Sequence, residues 1–333
     1  MKKRDLVIGF VGAVGAAVAV KMLTRAHTVN WDDIADVVEH SENSHFVNVD
    51  GARVHYQEFG DPSAQSIILI HGYTASVYVW RSVAPMLAKA GFHVIAIDLL
   101  GFGYSEKPRW FDYSIDSQAR MVERFMDRLG LGRAIIVGSS YGGAVAATLT
   151  LDYAERVEKL VLVDAVSNDN LKNHPILRLA SIPGLGEAIA PFLADTKAFH
   201  RHRMKNTMGP ANQHLVTDER VEAVRRPLAA ADAHHSLLAA SRNWHANRIG
   251  YDAHLINQQT LIIWGEDDKI IPIVDGYKLQ DAILHSRLVV IKNCGHVPME
   301  EKSELFAELV TEFCRHRKGR LEKREDEEVR LEN

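Results

Sequence analysis

Apolar residues in this chain gather into short unbroken runs: Ser66 to Ile70, Phe92 to Ile97, Ala134 to Val137, Lys159 to Val163, Thr260 to Trp264 and Leu288 to Ile291. Runs this short, with no regularly polar side, are the pattern of strands covered on both faces. Segments of helical spacing, Trp80 to Ala90, Ser117 to Leu129 and Ala144 to Tyr153, separate the first four runs. That alternation predicts a parallel sheet flanked by helices. Phe46 to Val49 and Arg53 to Phe59 read as an N-terminal hairpin that turns at Asp50-Gly51. After Asp164 the rhythm stops, and residues 168 to about 253 show helical patches but no strand until Thr260. A final helix is expected from Lys302 to about His316, and a short one around Asp32 to Glu39 in the polar connector 24–43.

The two ends differ from the middle. Met1-Lys2-Lys3-Arg4-Asp5 precedes the uncharged, mostly apolar stretch Leu6 to Val20. Read as a signal peptide, it would be cleaved near Ala17-Val18-Ala19, releasing a secreted or periplasmic protein. Read as an anchor, it extends through Met22 and Leu23 while Lys21 snorkels, approaching the roughly 20 residues that cross a bilayer. The anchor is the favoured reading for residues 1–23, ahead of a cleaved signal, with a cytosolic helix third. Lys2, Lys3 and Arg4 then stay cytoplasmic and the folded domain lies outside, although Lys21 and Arg25 weaken that bias. Residues 317–333 are dense in both charges, the mark of a solvated or disordered tail.

Composition excludes some functions. With 39 Lys plus Arg against 43 Asp plus Glu, the net charge of −4 gives no footing for nucleic acid. The two cysteines, Cys294 and Cys314, have neither metal spacing nor a disulfide framework. His200 with His202, and His234 with His235, lack acidic partners at ligand spacing, so no metal site is expected.

The chemistry centres on Gly138-Ser139-Ser140-Tyr141-Gly142-Gly143, directly after one apolar run and before a helical one. A G-x-S-x-G sequence there places Ser140 at the apex of a sharp strand-to-helix turn, and Gly138 and Gly142 supply the room. A serine hydroxyl needs a base, and the base needs an acceptor that fixes its tautomer. Asp268 and His296 follow the last two strand runs and supply both in the order Ser, Asp, His. Backbone N–H groups of Tyr73, after His71-Gly72, and of Tyr141 are placed to bind a tetrahedral intermediate's oxygen.

Five stretches in order, His71-Gly72, Asp98 to Ser105, Gly138-x-Ser140-x-Gly142, Trp264 to Asp268 and Asn293 to His296, resemble the α/β-hydrolase superfamily over about residues 44 to 316. The resemblance implies an eight-stranded, mostly parallel sheet with helices on both faces and a helical cap inserted after strand six. The core would be 44–167 and 254–316, and the cap 168–253. It implies catalysis without metal or organic cofactor, and it puts the acid at Asp268, ahead of its neighbour Asp267 and of Asp164, where some relatives carry theirs. Asp98 is expected to shape a loop, and Tyr78 and Trp80 to pack. The broken apolar stretch Leu177 to Leu193 is expected either to admit an acyl chain or touch a bilayer, or to be buried on the core.

The expected activity is hydrolysis of carboxylic esters through an acyl-enzyme, on a small-molecule substrate that can carry an acyl chain. The N-terminal segment and Asn293-Cys294-Gly295-His296 resemble the membrane-anchored monoacylglycerol lipases. Gly101-Phe102-Gly103-Tyr104-Ser105 and the cap also resemble the C–C bond hydrolases of aromatic ring cleavage. Those commonly carry Asn in the serine loop, where this chain has Ser139, and Trp soon after the histidine, where it has Val297-Pro298. A cofactor-free haloperoxidase or perhydrolase, and a non-catalytic ligand-binding protein on the same fold, are the further alternatives.

Overall fold

In the computed structural model, residues 29–170, 178–179 and 181–315 are described. The anchor or signal stretch 1–23, most of the connector's start, and the tail 317–333 lie outside them. Among the described residues no helix is long and apolar enough to cross a membrane.

Eight strands form one sheet: β1 (Ser44–Val49), β2 (Ala52–Phe59), β3 (Ser66–Ile70), β4 (His93–Ile97), β5 (Ala134–Ser139), β6 (Val157–Val163), β7 (Thr260–Gly265) and β8 (Ser286–Ile291). Their order is β1-β2-β4-β3-β5-β6-β7-β8. β1 and β2 pair antiparallel, as do β2 and β4; every later pair is parallel. The hairpin turns through Asp50 and Gly51, both at positive φ (49° and 91°), the geometry that an Asp-Gly pair adopts at little cost.

Helices α1 (Val83–Lys89), α2 (Ile115–Arg128) and α3 (Tyr141–Asp152) fill the crossovers. Strand β3 shows why its run carries no polar side: Ile67 and Leu69 join one apolar layer with α1 and the C-terminal helix, while Ile68 and Ile70 join the other with α2 and α3. Both faces are covered, so alternation is lost. Between β6 and β7 the chain runs through α4 (Leu185–Asp195), α5 (Lys197–Thr207), α6 (Asp218–Arg225), α7 (Ala231–Arg242) and α8 (Asn247–Asp252). Met204, Met208, Val216, Val221 and Val224 give this insertion a small apolar core. Helix α9 (Val274–Ala282) precedes β8, and α10 (Pro298–Glu301) and α11 (Ser303–Arg315) close the fold.

Two local expectations change. The connector forms 3-10 turns at Trp31–Asp33 and Ala35–Val37 in place of one helix; neither has a side-chain cap or a buried residue to sustain longer helix. The segment expected as a helix from Trp80 starts as a 3-10 turn, Val77–Trp80, and becomes α-helical only at Val83.

Candidate active site

The C-terminal ends of β3, β5, β6, β7 and β8 share one edge of the sheet, where a parallel layout gathers the loops that carry chemistry. Ser140 stands at the end of β5, with φ 53° and ψ −116°, as the residue that caps α3. A non-glycine residue held there stores strain, and the surroundings hold it. Its N–H donates to Val163 O (2.8 Å), and its C=O accepts from the N–H groups of Gly143, Ala144 and Val166. The glycines around it are steric necessities. A Cβ on Gly138 would press on Gly142 O and come within 2.7 Å of Ala146 Cβ; one on Gly142 would strike the carbonyls of Ile70 and His71.

Gly72 lies against the serine, with its would-be Cβ position 3.8 Å from Ser140 Oγ. The turn that contains it is fixed by His71, whose Nε2 accepts from Leu99 N–H (3.1 Å), so that Nδ1 carries the proton and donates to Gly72 O (2.8 Å). Complete burial lowers the His71 pKa and keeps the ring neutral. Tyr73 follows in this turn, and Tyr141 is the first residue of α3, whose leading N–H groups have no acceptor within the helix. The positive end of the α3 dipole faces the same place.

His296 donates from Nδ1 to Asp268 Oδ2 at 2.7 Å. Asp268 is itself pinned by the N–H groups of Ile270 (2.7 Å) and Ile271 (3.1 Å), and its side chain is wholly buried. With Nδ1 spent on the carboxylate, Nε2 is the nitrogen left to take a proton. The ring's position depends on Glu301, which accepts from Gly295 N–H (2.9 Å), Gly209 N–H (2.8 Å) and Asn212 Nδ2 (2.7 Å). His296 N–H in turn donates to Thr207 O (2.7 Å), tying the His296 loop to α5.

Asp164 enters this site as a second carboxyl. Its Oδ1 accepts from Gly265 N–H (2.9 Å), while Oδ2 is buried without a hydrogen bond of good geometry. One ligand atom each from Asp164, Asp268 and His296 lie within 4.8 Å of one another. Burial and then the neighbouring charge of Asp268 raise the Asp164 pKa well above the ordinary carboxylate range. As a metal cradle the trio fits poorly, because a cation would need Asp164 ionised and would displace the bond between His296 and Asp268. Asp267 sits aside, half-buried, its N–H on Cys294 O (2.8 Å).

The remaining candidates take supporting places. Asp98 shapes a loop: it accepts from Val77 N–H (2.7 Å), Tyr104 N–H (2.8 Å) and His55 Nδ1 (2.7 Å). Trp80 is fully buried in the core, and Tyr78 stacks under the Arg81 guanidinium at 4.0 Å. Cys294 is buried and its thiol pKa is raised by desolvation, which disfavours the thiolate. The insertion meets this edge through aromatic rings: Trp244 lies 5.1 Å from Tyr141 and 5.7 Å from Tyr73, whose hydroxyl donates to Leu237 O (2.7 Å). Within the insertion, Leu179, Ile182 and Leu185 are exposed rather than buried on the core.

Glu301 and Arg203, a residue of the insertion that donates to Thr74 Oγ1, went unread in the sequence, and His71 was read only as part of the His71-Gly72 stretch. A Gly preceding it singles out His296 in the sequence, but nothing local marks the glutamate that holds its loop.

A strand-to-helix serine turn, a buried carboxylate–imidazole pair and a helical insertion after the sixth strand of an eight-stranded sheet define a hydrolase. The chain belongs to the alpha/beta hydrolase fold family, which matches residues 65–303. It is 30% identical, over 89% of its length and 97% of the relative's, to the 2-hydroxy-6-oxo-6-(2'-aminophenyl)hexa-2,4-dienoic acid hydrolase of Metapseudomonas resinovorans. Among solved structures it is similar to a meta-cleavage product hydrolase from Pseudomonas fluorescens IP01 (TM-score 0.69, 27% identity, covering 82% of this chain and 98% of that one). It is also similar to a membrane phospholipase A described as a bacterial virulence factor (TM-score 0.67, 25% identity), a likeness covering 94% of this chain and 98% of that one.

Proposed function

We propose that the protein is a serine hydrolase that cleaves carboxylic esters of amphiphilic small molecules, with Ser140 as nucleophile, His296 as base and Asp268 as its acceptor. The observation that carries this reading is the 2.7 Å bond from His296 Nδ1 to a carboxylate also held by the backbone N–H groups of Ile270 and Ile271, at the same sheet edge as the strained Ser140. His296 Nε2 takes the Ser140 proton as Oγ attacks the carbonyl, and the backbone N–H groups of Tyr73 and Tyr141 receive the charge on oxygen. The imidazolium then protonates the departing alcohol. Water, deprotonated by the same ring, releases the acid.

Ester hydrolysis is favoured over C–C cleavage by Ser139 and Val297, which stand where ring-cleavage hydrolases commonly carry Asn and Trp. The breadth of the likeness to a membrane phospholipase and the exposed apolar cap residues Leu179, Ile182 and Leu185 support an amphiphilic substrate met at a lipid surface. Residues 6–23 would hold the enzyme there, with the catalytic domain outside the cytoplasm. The C–C reading draws its support from the named activities of the Metapseudomonas and Pseudomonas relatives. Turnover of a monoacylglycerol against a vinylogous diketo acid separates the two: the monoacylglycerol is expected to be the better substrate, and Ser140→Ala is expected to abolish its hydrolysis. Faster turnover of the diketo acid, or an active Ser140→Ala protein, contradicts the proposal.

A further inference from the structure

Helix α5 forms a wall between the two loops of the site: its last residue, Thr207, accepts from the His296 backbone, and Arg203, one turn earlier, reaches the oxyanion turn. The Arg203 Nη1 donates to Thr74 Oγ1, and that hydroxyl donates onward to Tyr73 O (2.6 Å). Thr74 is at φ 60°, so the turn that aims the Tyr73 N–H is also the turn the guanidinium touches.

Arg203 forms no ion pair with a carboxylate among the described residues. Arg81, a more deeply buried arginine, shows what the fold does when the charge is structural: it pairs with Glu300 at 3.3 Å and stacks on Tyr78. A desolvated cation without a counter-ion is costly, and it persists where something other than the fold supplies the negative charge. Desolvation lowers the Arg203 pKa to about 10, with only Tyr73 acting on it. At that value it remains charged at neutral pH. The residue as a whole is only half-buried, so it is not sealed inside the fold.

We propose that Arg203 is the anchor for an anionic group on the substrate, a carboxylate or phosphate held beside the oxyanion turn. The planar fork of a guanidinium matches both groups and holds them with charge-assisted hydrogen bonds. The inference rests on the ester-hydrolase reading and narrows it, from amphiphilic esters in general to anionic ones. Anchoring one end of the molecule at the turn places its scissile carbonyl toward Ser140 and the Tyr73 N–H.

The test uses matched esters on the full chain. p-Nitrophenyl butyrate against p-nitrophenyl hemisuccinate places a carboxylate on the acyl side; a monoacylglycerol against a lysophosphatidic acid of equal chain length places a phosphate on the alcohol side. The wild type is expected to favour the charged member of one pair by at least about tenfold in kcat/KM, and that pair identifies the anion's source. Arg203→Gln is expected to remove the preference, raising KM for the charged ester of that pair at least about tenfold more than for its neutral partner, and Arg203→Lys to retain part of it. A wild type that favours both neutral esters, or an Arg203→Gln protein equally impaired on all four, overturns the proposal. Calorimetry on the Ser140→Ala protein decides the matter without turnover and without an Arg203 variant. Hexylphosphonate should bind at least about tenfold tighter than hexanol and weaken with salt. Equal binding overturns the anion site even where the ester reading stands.

Discussion

Asp164 offers a sharp test of how the site holds its charges. The two carboxyls behind His296 cannot both ionise cheaply in a buried space, and it is Asp164, fully buried beside Asp268, whose pKa is driven upward. In the neutral form that this shift favours, one oxygen accepts from Gly265 N–H and the other carries the proton. Asparagine has the same shape and the same hydrogen-bonding pattern, carbonyl toward Gly265 and N–H toward Asp268. Asp164→Asn is therefore expected to keep kcat/KM within about threefold, since no bond in the site is lost. Asp164→Ala strips the acceptor from a buried N–H, at a cost of about 1–3 kcal/mol, and leaves Asp268 without its neighbour. That loss lowers Tm by several degrees, and kcat/KM is expected to fall about tenfold or more as His296 loses its alignment.

The pH dependence carries the sign. A carboxyl whose folded pKa is raised contributes stability below its unfolded pKa, near 3.8, and that contribution is lost as pH rises through the folded value. Wild-type Tm should fall across this window relative to Asp164→Asn, which lacks the titration, and near neutral pH the Asn protein should match or exceed the wild type. Calorimetric Tm from pH 4 to 8, with ester kinetics on both variants, reads both effects. A loss of a hundredfold or more in Asp164→Asn, with parallel Tm profiles, would mean that Asp164 is ionised in the native state and the reasoning is wrong.

Other substitutions probe the frame around the triad. Gly138→Ala would force its new methyl onto Gly142 O and Ala146 Cβ, so a stability loss of about 1–3 kcal/mol and a fall in kcat are expected from thermal melts and ester assays. Glu301→Gln turns an amide N–H toward donors now served by a carboxylate oxygen. It should cost about 2 kcal/mol in a melt and depress kcat more than KM, because Gly295 leads into His296.

Much of the site was legible because its signals are local. The serine turn needs small residues within two positions of Ser140, and Gly138 and Gly142 are there in the sequence. Strand runs were readable because both faces of the sheet are covered, so Ile67 to Ile70 carry no polar side. What escaped depends on partners far along the chain. Arg203 meets Thr74 across 129 positions and Glu301 meets Gly209 across 92, and neither residue differs in its neighbourhood from an ordinary helix charge. The choice of acid is intermediate: Asp164 and Asp268 both end buried strands, and only the sheet order, with β6 beside β7, shows that both reach the imidazole's side. Helix starts shifted for a similar reason, since α3 begins at Tyr141 under the strained Ser140 cap and no propensity signal marks that corner.

Covalent labelling of the nucleophile tests the central claim most directly. The native protein, treated with a fluorophosphonate and examined by intact mass and peptide mapping, should gain one adduct, on Ser140, with loss of ester turnover in step. The adduct should vanish in Ser140→Ala and form far more slowly in His296→Ala. An active enzyme that takes up no label, or one labelled elsewhere with turnover intact in Ser140→Ala, would contradict it.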